Sequence, residues 1–260
     1  MRSVLVFSAL LLFAGCTGKD GVPEPAATVE TVEYPSRNDT VRGIVYRPAG
    51  QGPFPAVVVL HGDAGLTTWE KEQAQRLCDL GYVALAVDLY RGQVVSGVLD
   101  AHIMERGLPE DRALADLKAA VDYLVSRPDV RGDAFGIVGW DMGGGYALDA
   151  ARHDSRLRAV VVCYGRLTTD PEWLASLQAS VLGIFAEKDE GISPETIAQF
   201  RAAMRKAGKR IADLHIYRGC GPGFMNPASP HATDAPAIEA TADAWNKIEN
   251  YLAAELKQRP

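Results

Sequence analysis

A carboxylate side chain stands at the centre of the segment Gly139–Gly143, which reads Gly-Trp-Asp-Met-Gly. The segment lies between an apolar run and a helix-like pattern, so it predicts a tight strand-to-helix turn. Small residues on both sides allow the strand and helix to approach closely, and the central residue is held in a strained conformation. The side chain of that residue projects at the helix N-terminus, where backbone N–H groups and the helix dipole favour negative charge. Asp141 is therefore a candidate catalytic nucleophile or base.

The elements that must position Asp141 are indicated by the spacing of apolar residues after residue 28. Two segments of mixed polarity come first and predict an antiparallel hairpin. Later strands are continuously apolar, which is typical of strands buried on both faces, and helical patterns separate them. Because parallel neighbours need long crossovers, this order predicts an α/β class with a mostly parallel central sheet and helices on both faces. The leading hairpin favours the α/β-hydrolase fold.

The boundaries of these elements follow from the same patterns. The predicted strands are residues 29–34, 40–46, 55–61, 82–88, 134–138, 157–164, 181–186 and 211–217, and the predicted helices are residues 68–80, 109–126, 142–152, 194–206 and 235–255. Asp141 falls between the strand at 134–138 and the helix at 142–152.

Five stretches in order resemble the dienelactone hydrolase family across about residues 30–257. They are Val58–Gly62, Gly81–Tyr90, the turn at Gly139–Gly143, Phe185–Asp189 and Tyr217–Pro227. The resemblance implies an α/β-hydrolase fold, a Cys-His-Asp triad and hydrolysis of lactones or esters. Carried over by position, it places the nucleophile at residue 141, the acid at residue 189 and the histidine at residue 222.

Two of these three triad positions depart from the family pattern, because Asp141 replaces the cysteine and Pro222 replaces the histidine. An aspartate nucleophile is similar to that of haloalkane dehalogenases and epoxide hydrolases, whose ester intermediate needs a water activated by a base. Proline offers no base, and Asp189 then lacks the partner it would orient. His231, nine residues after Pro222, could fold over the turn and supply the base. A surface loop histidine is the alternative.

The rest of the cleft is predicted from residues that flank these positions. The pair His61 and Gly62 follows a predicted strand, and a neighbouring backbone N–H would help to form an oxyanion hole, with Met142 after the nucleophile position as the other contributor. His61 is expected to position this loop and not to act as a base. Trp140 is expected to line the cleft beside Asp141.

Three further side chains could contribute to the cleft, and two of them have an alternative interpretation. Arg91 stands one position from where the family often places an arginine that holds a substrate carboxylate, so it is either a cleft residue or a solvated loop arginine. Asp63 is likewise one position from a family glutamate that governs the resting nucleophile. Cys220 lies in the loop that lost its histidine and could approach Asp141, but a structural cysteine is the alternative because no activating base accompanies it.

Two function classes remain open. The first is a hydrolase of small carboxylic esters or lactones, with Asp141 as nucleophile or base and Asp189 or His231 in support. The second is a non-catalytic relative that binds a small ester, lactone or carboxylate ligand, or a partner. A base within hydrogen-bond reach of Asp141 would favour the first. No cofactor is expected, because no Cys, His, Asp and Glu cluster has metal-ligand spacing and no phosphate-binding glycine loop is found.

Composition and the N-terminus address partners and location. The chain has 260 residues, 47% of them hydrophobic, and 27 Lys+Arg against 33 Asp+Glu give a net charge of −6, which argues against nucleic acid as a partner. Val4–Ala14 carries no charge and is too short to span a membrane, which fits a secretory signal. It ends at Cys16 in a lipobox-like pattern. We expect a signal at 1–16, a flexible tether at 17–27 and one domain at 28–260, on a lipid-anchored or secreted protein of the bacterial envelope.

Overall fold

A single mixed sheet positions every candidate residue. In the computed structural model, which describes residues 25–257, eight strands pair in the order β1-β2-β4-β3-β5-β6-β7-β8. The strands are β1 Thr28–Ser36, β2 Asp39–Arg47, β3 Phe54–Leu60, β4 Val83–Asp88, β5 Val130–Trp140, β6 Leu157–Cys163, β7 Ser180–Ala186 and β8 Ile211–Tyr217. The first two form the antiparallel hairpin that the sequence predicts. β2 also runs antiparallel to β4, and all pairs from β4 to β8 are parallel.

Helices cover both faces of this sheet. They are α1 Thr68–Asp79, α2 Val98–Gly107, α3 Glu110–Ser126, α4 Met142–His153, α5 Pro171–Ala175, α6 Pro194–Lys206 and α7 Ala237–Leu256, with a 3-10 turn at Pro230–Thr233. Buried side chains of α3, α4 and α6 belong to one core cluster, and those of α1 and α7 belong to the cluster on the opposite face. The predicted α/β-hydrolase architecture with helices on both faces is confirmed.

The sequence prediction missed the helix α2 for a physical reason. Its large apolar side chains Val98, Leu99 and Ile103 are exposed, and only Ala101 is buried. A helix with its apolar residues in solvent shows no stripe directed at the core, so the spacing of apolar residues does not reveal it. The short helix α5 was also not predicted, because five residues are too few to establish a helical period.

The carboxyl ends of the parallel strands meet at one edge of the sheet. The loops after β3, β5, β6 and β8 carry Gly62, Asp141, Tyr164 and Pro222 to this edge. In open α/β sheets, ligands bind at the carboxyl ends of the strands, and the candidate site lies there.

The segment before residue 25 lies outside the described residues, including the predicted signal, Cys16 and most of the predicted tether. Within residues 25–257, no helix combines the length and the apolar character needed to cross a membrane.

Candidate active site

The backbone of Asp141 has the strained conformation predicted for the turn. Its φ of 52° and ψ of −122° lie in a region that non-glycine residues rarely adopt. The Asp141 N–H donates to the carbonyl oxygen of Cys163 at 2.9 Å, and its own carbonyl accepts from the Gly144 N–H at 3.0 Å. These two hydrogen bonds tie the turn to the end of β6 and to the first turn of α4. The fold thus holds the Asp141 side chain in one direction.

Glycines on both sides of Asp141 permit this turn because other backbone atoms occupy the space of a side chain. A Cβ added to Gly139 would lie 2.1 Å from the carbonyl oxygen of Gly143. One added to Gly143 would lie 2.4 Å from the carbonyl oxygen of His61. Strand β5, helix α4 and the loop after β3 therefore touch through backbone atoms at this point.

The contact at Gly143 makes Gly143→Ala a sharp test of the turn. We expect the free energy of unfolding to fall by about 1–3 kcal/mol, because the methyl group must displace the backbone at His61. Urea denaturation would measure the loss. Gly132→Ala is the matched control, since nothing lies within 4 Å of a Cβ at that position. Equal stability of the two variants would contradict the close packing.

Backbone amides hold the Asp141 carboxylate. The Asp63 N–H donates to its Oδ2 at 3.3 Å, and the Met142 N–H also favours the charged form of the carboxyl group. The sequence predicts an oxyanion hole next to Gly62 and at Met142. In the structure, the groups at these positions bind the Asp141 side chain itself.

The Asp141 carboxyl group takes up a proton more readily than an ordinary aspartate. Burial is the main cause, and the negative charge of Asp63 is the second, so that the pKa rises from 3.8 to about 6. The amides of Asp63 and Met142 oppose this rise, since they stabilise the carboxylate. Two carboxyl groups that repel each other when both are charged, Asp141 in the turn and Asp63 in the loop after β3, therefore lie side by side.

His61 positions the loop, as expected from the sequence. The side chain is fully buried, its Nδ1 lies 2.7 Å from the carbonyl oxygen of Gly62, and its Nε2 accepts from the Leu89 N–H at 3.2 Å. An Nε2 that accepts requires the proton on Nδ1, so the ring is neutral and donates to Gly62. Burial also lowers the pKa of His61. Its nitrogens are both engaged with backbone, which leaves neither for catalysis.

Glu70 supports the same loop, and the sequence analysis overlooked it. It forms a capping box at the start of α1, where its carboxylate accepts from the Thr67 N–H at 2.9 Å and from the Thr67 hydroxyl. The Gly62 N–H also stabilises its charged form, while burial raises its pKa. The pattern Thr67-Thr68-Trp69-Glu70, a threonine three residues before a glutamate, could have revealed this cap.

The turn opens into a cleft of about 820 Å³ at the carboxyl edge of the sheet. Asp63, Trp140, Asp141 and Tyr164 line its floor together with the loop after β8. That loop brings His231 to the same cleft, 39% exposed, with its Nδ1 at 3.5 Å from Oδ2 of Asp234. His231 forms no hydrogen bond or ion pair with Asp141. A substrate or water must therefore lie between the imidazole and the carboxylate for the two to cooperate.

Comparison with known proteins places this chain in one family. The family model of the dienelactone hydrolases matches residues 41–256. The chain belongs to the dienelactone hydrolase family. A relative from Methylorubrum extorquens named as a carboxymethylenebutenolidase is 30% identical over 241 residues, which cover 85% of this chain and 79% of that protein.

Two further comparisons agree. A Bradyrhizobium relative named for 2-oxo-3-(5-oxofuran-2-ylidene)propanoate lactonase activity is 32% identical over 237 residues, covering 86% of this chain and 93% of its own. The crystal structure of a dienelactone hydrolase-like promiscuous phosphotriesterase from metagenomic libraries aligns with a TM-score of 0.79 at 26% identity, covering 89% of this chain and 99% of that one. The chain is thus a dienelactone hydrolase-like protein over nearly its whole described length.

Asp189, at the acid position of this dienelactone hydrolase-like chain, has a local structural task. The side chain is buried, and its Oδ1 accepts from the N–H groups of Gly191 at 2.9 Å and Ile192 at 3.0 Å. It does not line the cleft with Asp141. The carboxylate beside His231 is Asp234, which the sequence analysis did not name.

Pro222, at the family's histidine position, does line the cleft. His231 packs where the adjoining residue leaves room, since a Cβ on Gly221 would lie 2.3 Å from the His231 Nδ1. The imidazole of His231 therefore occupies the space that a side chain at Gly221 would need. His231 and Asp234 together place an imidazole–carboxylate pair beside the proline.

Arg91 and Cys220 lie away from the cleft, contrary to their possible roles there. The Arg91 guanidinium forms ion pairs with Asp39 and Asp116, each at 2.8 Å. Cys220 is fully buried, and its carbonyl accepts from the Lys188 N–H at 2.9 Å. Neither residue lines the cleft. Cys220 has the position of a structural cysteine, whereas Arg91 is a largely shielded, ion-paired arginine and fits neither of its two interpretations.

Two aromatic residues complete the floor of the cleft. Trp140 is 1% exposed and packs edge-on against Trp69, with ring centroids 5.1 Å apart. Tyr164, directly after β6, is 4% exposed and has a positive φ of 41°. Its hydroxyl has no hydrogen-bond partner among the described residues. The sequence predicts Tyr164 at the end of a strand and indicates no role for it.

Proposed function

We propose that the protein hydrolyses small carboxylic esters or lactones and that Asp141 is the base that activates water. The observation that carries the proposal is the Asp141 carboxyl group, with its raised pKa, held by the Asp63 N–H in a cleft at the carboxyl edge of the sheet. An ideal general base has a pKa near the working pH. The names of the relatives, a carboxymethylenebutenolidase and a lactonase, support the substrate class.

The position of the amides favours a base over a nucleophile. Direct attack by Asp141 on an ester carbonyl would form an anhydride through an oxyanion, and that oxyanion needs free N–H donors. The N–H groups of Asp63 and Met142 already stabilise the Asp141 carboxylate. A water molecule that loses its proton to Asp141 can attack the carbonyl carbon without disturbing these contacts.

The proposed reaction balances within the cleft. Asp141 takes a proton from water while the hydroxide forms a bond to the ester carbonyl carbon. The resulting oxyanion forms beside Tyr164, which lines the cleft and whose buried hydroxyl has no partner among the described residues. The bond to the leaving oxygen then breaks, and that oxygen receives the proton from Asp141. His231, whose Nδ1 lies 3.5 Å from Oδ2 of Asp234, lines the same cleft and assists this transfer.

Turnover of a nitrophenyl acetate and a small lactone in H₂¹⁸O separates the two chemical routes. With Asp141 as the base, ¹⁸O enters the released acid and the mass of the peptide containing Asp141 stays unchanged. Incorporation of ¹⁸O into that peptide would establish a nucleophilic aspartate instead. Rates equal to background would favour the second function class, a binding protein on a hydrolase frame, which the missing family histidine at Pro222 supports.

The pH dependence of kcat/KM should report the carboxyl pair. We expect activity to fall as the pH drops below about 6, because protonated Asp141 cannot accept a proton. In Asp63→Asn, the falling limb should move to lower pH, since the like charge that raises the Asp141 pKa is removed. Burial remains, so the limb should stay above the range of an exposed aspartate.

The control for this profile is Glu105→Gln. Glu105 interacts electrostatically with Asp141, and the pKa of Glu105 is raised by burial and by that interaction. It is not among the main causes of the Asp141 shift. The falling limb of the profile could move equally far in Glu105→Gln and Asp63→Asn, or it could move in neither variant. Either result would show that Asp141 is not the titrating base.

We further propose that the protein acts on the periplasmic side of the bacterial cell envelope, anchored through a lipid on Cys16. The support for this location is the uncharged segment before Cys16 and the small residues that precede it.

A further inference from the structure

The cleft carries negative charge without a balancing cation. Four acidic residues line it, namely Asp63, Glu70, Glu72 and Asp141. Among the described residues that line it, none is a lysine or an arginine, and His231 alone could become positive. A cavity of this charge repels a carboxylate ligand, because Coulomb interactions are stronger next to the low-dielectric protein than in bulk water.

Shielded carboxylates elsewhere in the described structure show two ways of being stabilised. Four pair with arginines at 2.5–2.8 Å, namely Asp116 with Arg91, Asp129 with Arg127, Asp149 with Arg166, and Asp154 with Arg156, while Asp88 and Asp189 accept from backbone N–H groups. By contrast, Asp63 and Glu72 form no ion pair with any described residue. Glu70 accepts only from uncharged groups of Thr67 and Gly62. The missing positive charge would thus have to come with the ligand.

Two residues that line the cleft also carry buried polar atoms without partners. The Tyr164 hydroxyl and the Trp140 Nε1–H are both buried without a hydrogen-bond partner among the described residues. Both residues line the cleft and are more than nine-tenths buried. A buried polar group without a partner costs about 1–3 kcal/mol, so a ligand that satisfies it gains affinity. The carbonyl group of an ester supplies an acceptor for such donors.

Aromatic side chains beside the acids suit a cation in particular. Trp69, at the start of α1, lines the cleft and is only partly buried. The electron-rich faces of tryptophan and tyrosine attract ammonium groups, and the attraction grows when water is excluded. Val95 and Val98 add apolar surface to the lining. The lining combines negative charge, aromatic rings and apolar contacts.

We infer that the cleft takes esters or lactones that carry a positively charged amine or quaternary ammonium group. This inference rests on the proposed function for the ester part, while the preference for a cation follows from the lining residues alone. It replaces the carboxylate ligand considered from the sequence. Glu72, exposed at the mouth of the cleft, provides charge for the cation without belonging to the proposed catalytic pair.

Three acetate esters of similar size test the charge preference. Acetylcholine is cationic, 3,3-dimethylbutyl acetate is its neutral isostere and 4-acetoxybutanoate is anionic. We expect kcat/KM to be at least tenfold higher for the cation than for the neutral ester, and lowest for the anion. Binding of choline and 3,3-dimethylbutan-1-ol, which contain no ester, would be measured by calorimetry with the same tenfold preference expected. Equal affinity for these two alcohols, or tighter binding of an anion, would overturn the inference.

The variant Glu72→Gln locates the effect. We expect choline affinity to fall two- to fivefold in Glu72→Gln and to stay unchanged in Glu239→Gln, an exposed glutamate on α7 that does not line the cleft. Choline binding without hydrolysis of any ester would refute the proposed function and leave the cation preference intact. Hydrolysis of nitrophenyl acetate without a preference for cations would support the proposed function and refute the cation preference.

Discussion

Asp141→Asn is expected to lower kcat/KM for ester hydrolysis by about 10²–10⁴-fold, the usual contribution of a general base. Asparagine has nearly the same shape and can still accept from the Asp63 N–H, so the turn should persist. It cannot take a proton from water. The measurement is the hydrolysis of a nitrophenyl acetate by the purified variant beside the wild type. Asp79→Asn, at an exposed position on α1, should keep full activity.

The same substitution should stabilise the protein at neutral pH. Because folding raises the Asp141 pKa from 3.8 to about 6, the native state binds more protons than the unfolded state between these values, and stability falls as pH rises through that window. The full shift corresponds to about 3 kcal/mol, and solvent at this partly exposed side chain reduces it to about 1–2 kcal/mol. We expect Asp141→Asn to gain this amount at pH 7.5 and little at pH 3.5.

These two effects together separate a catalytic carboxylate from a structural one. A structural aspartate held by hydrogen bonds would lose stability on replacement, and its activity would follow the folded fraction. A strained, buried carboxylate kept for its chemistry should show the opposite signs, as functional sites often carry strain that other contacts offset. Denaturation and kinetics of one variant preparation decide this. A loss of stability together with undiminished activity would contradict both parts of the prediction.

The turn was predictable because local sequence dictates it. Gly139 and Gly143 flank Asp141 where a side chain would collide with backbone atoms, and the apolar run before them and the helical pattern after them fix the context of the turn. The order of strands and helices was predictable for a similar reason, since continuous apolar runs mark buried parallel strands. The family resemblance also identified residue 222 as the position where the family's histidine is replaced by proline.

The partners of the side chains were not predictable in the same way. Asp189 occupies the family's acid position, but the carboxylate that reaches His231 is Asp234, three residues along a loop whose path no periodicity describes. The charge of the cleft depends on Glu70 and Glu72 at the start of α1, which the sequence presents only as a helix cap and a polar face. Such contacts are set by the tertiary path of loops.

Arg91 illustrates the same limit and gives the second large effect. Its position near a family arginine suggested a carboxylate-binding role, but its guanidinium contacts Asp116, which is fully buried on α3, at 2.8 Å. Asp39 receives two further hydrogen bonds from Arg91, at 2.8 Å and 3.0 Å. Burial of the Arg91 side chain is offset by these carboxylates, and its pKa remains raised. The ion pair between Arg91 and Asp116 holds the loop after β4 against α3.

Arg91→Ala should therefore lower the free energy of unfolding by about 3–5 kcal/mol, the usual result of leaving a buried charge without its partner. Urea denaturation measures the loss. KM for an anionic ester should change less than twofold, because Arg91 does not line the cleft. The double variant Arg91→Ala/Asp116→Asn removes both charges, so it should recover part of the stability that the single variant loses, which a double-mutant cycle with Asp116→Asn would quantify. A rise in KM with unchanged stability would instead restore Arg91 to substrate binding. The arginine that the family resemblance assigns to a ligand would then have kept that task, and the negative cleft would need a different explanation.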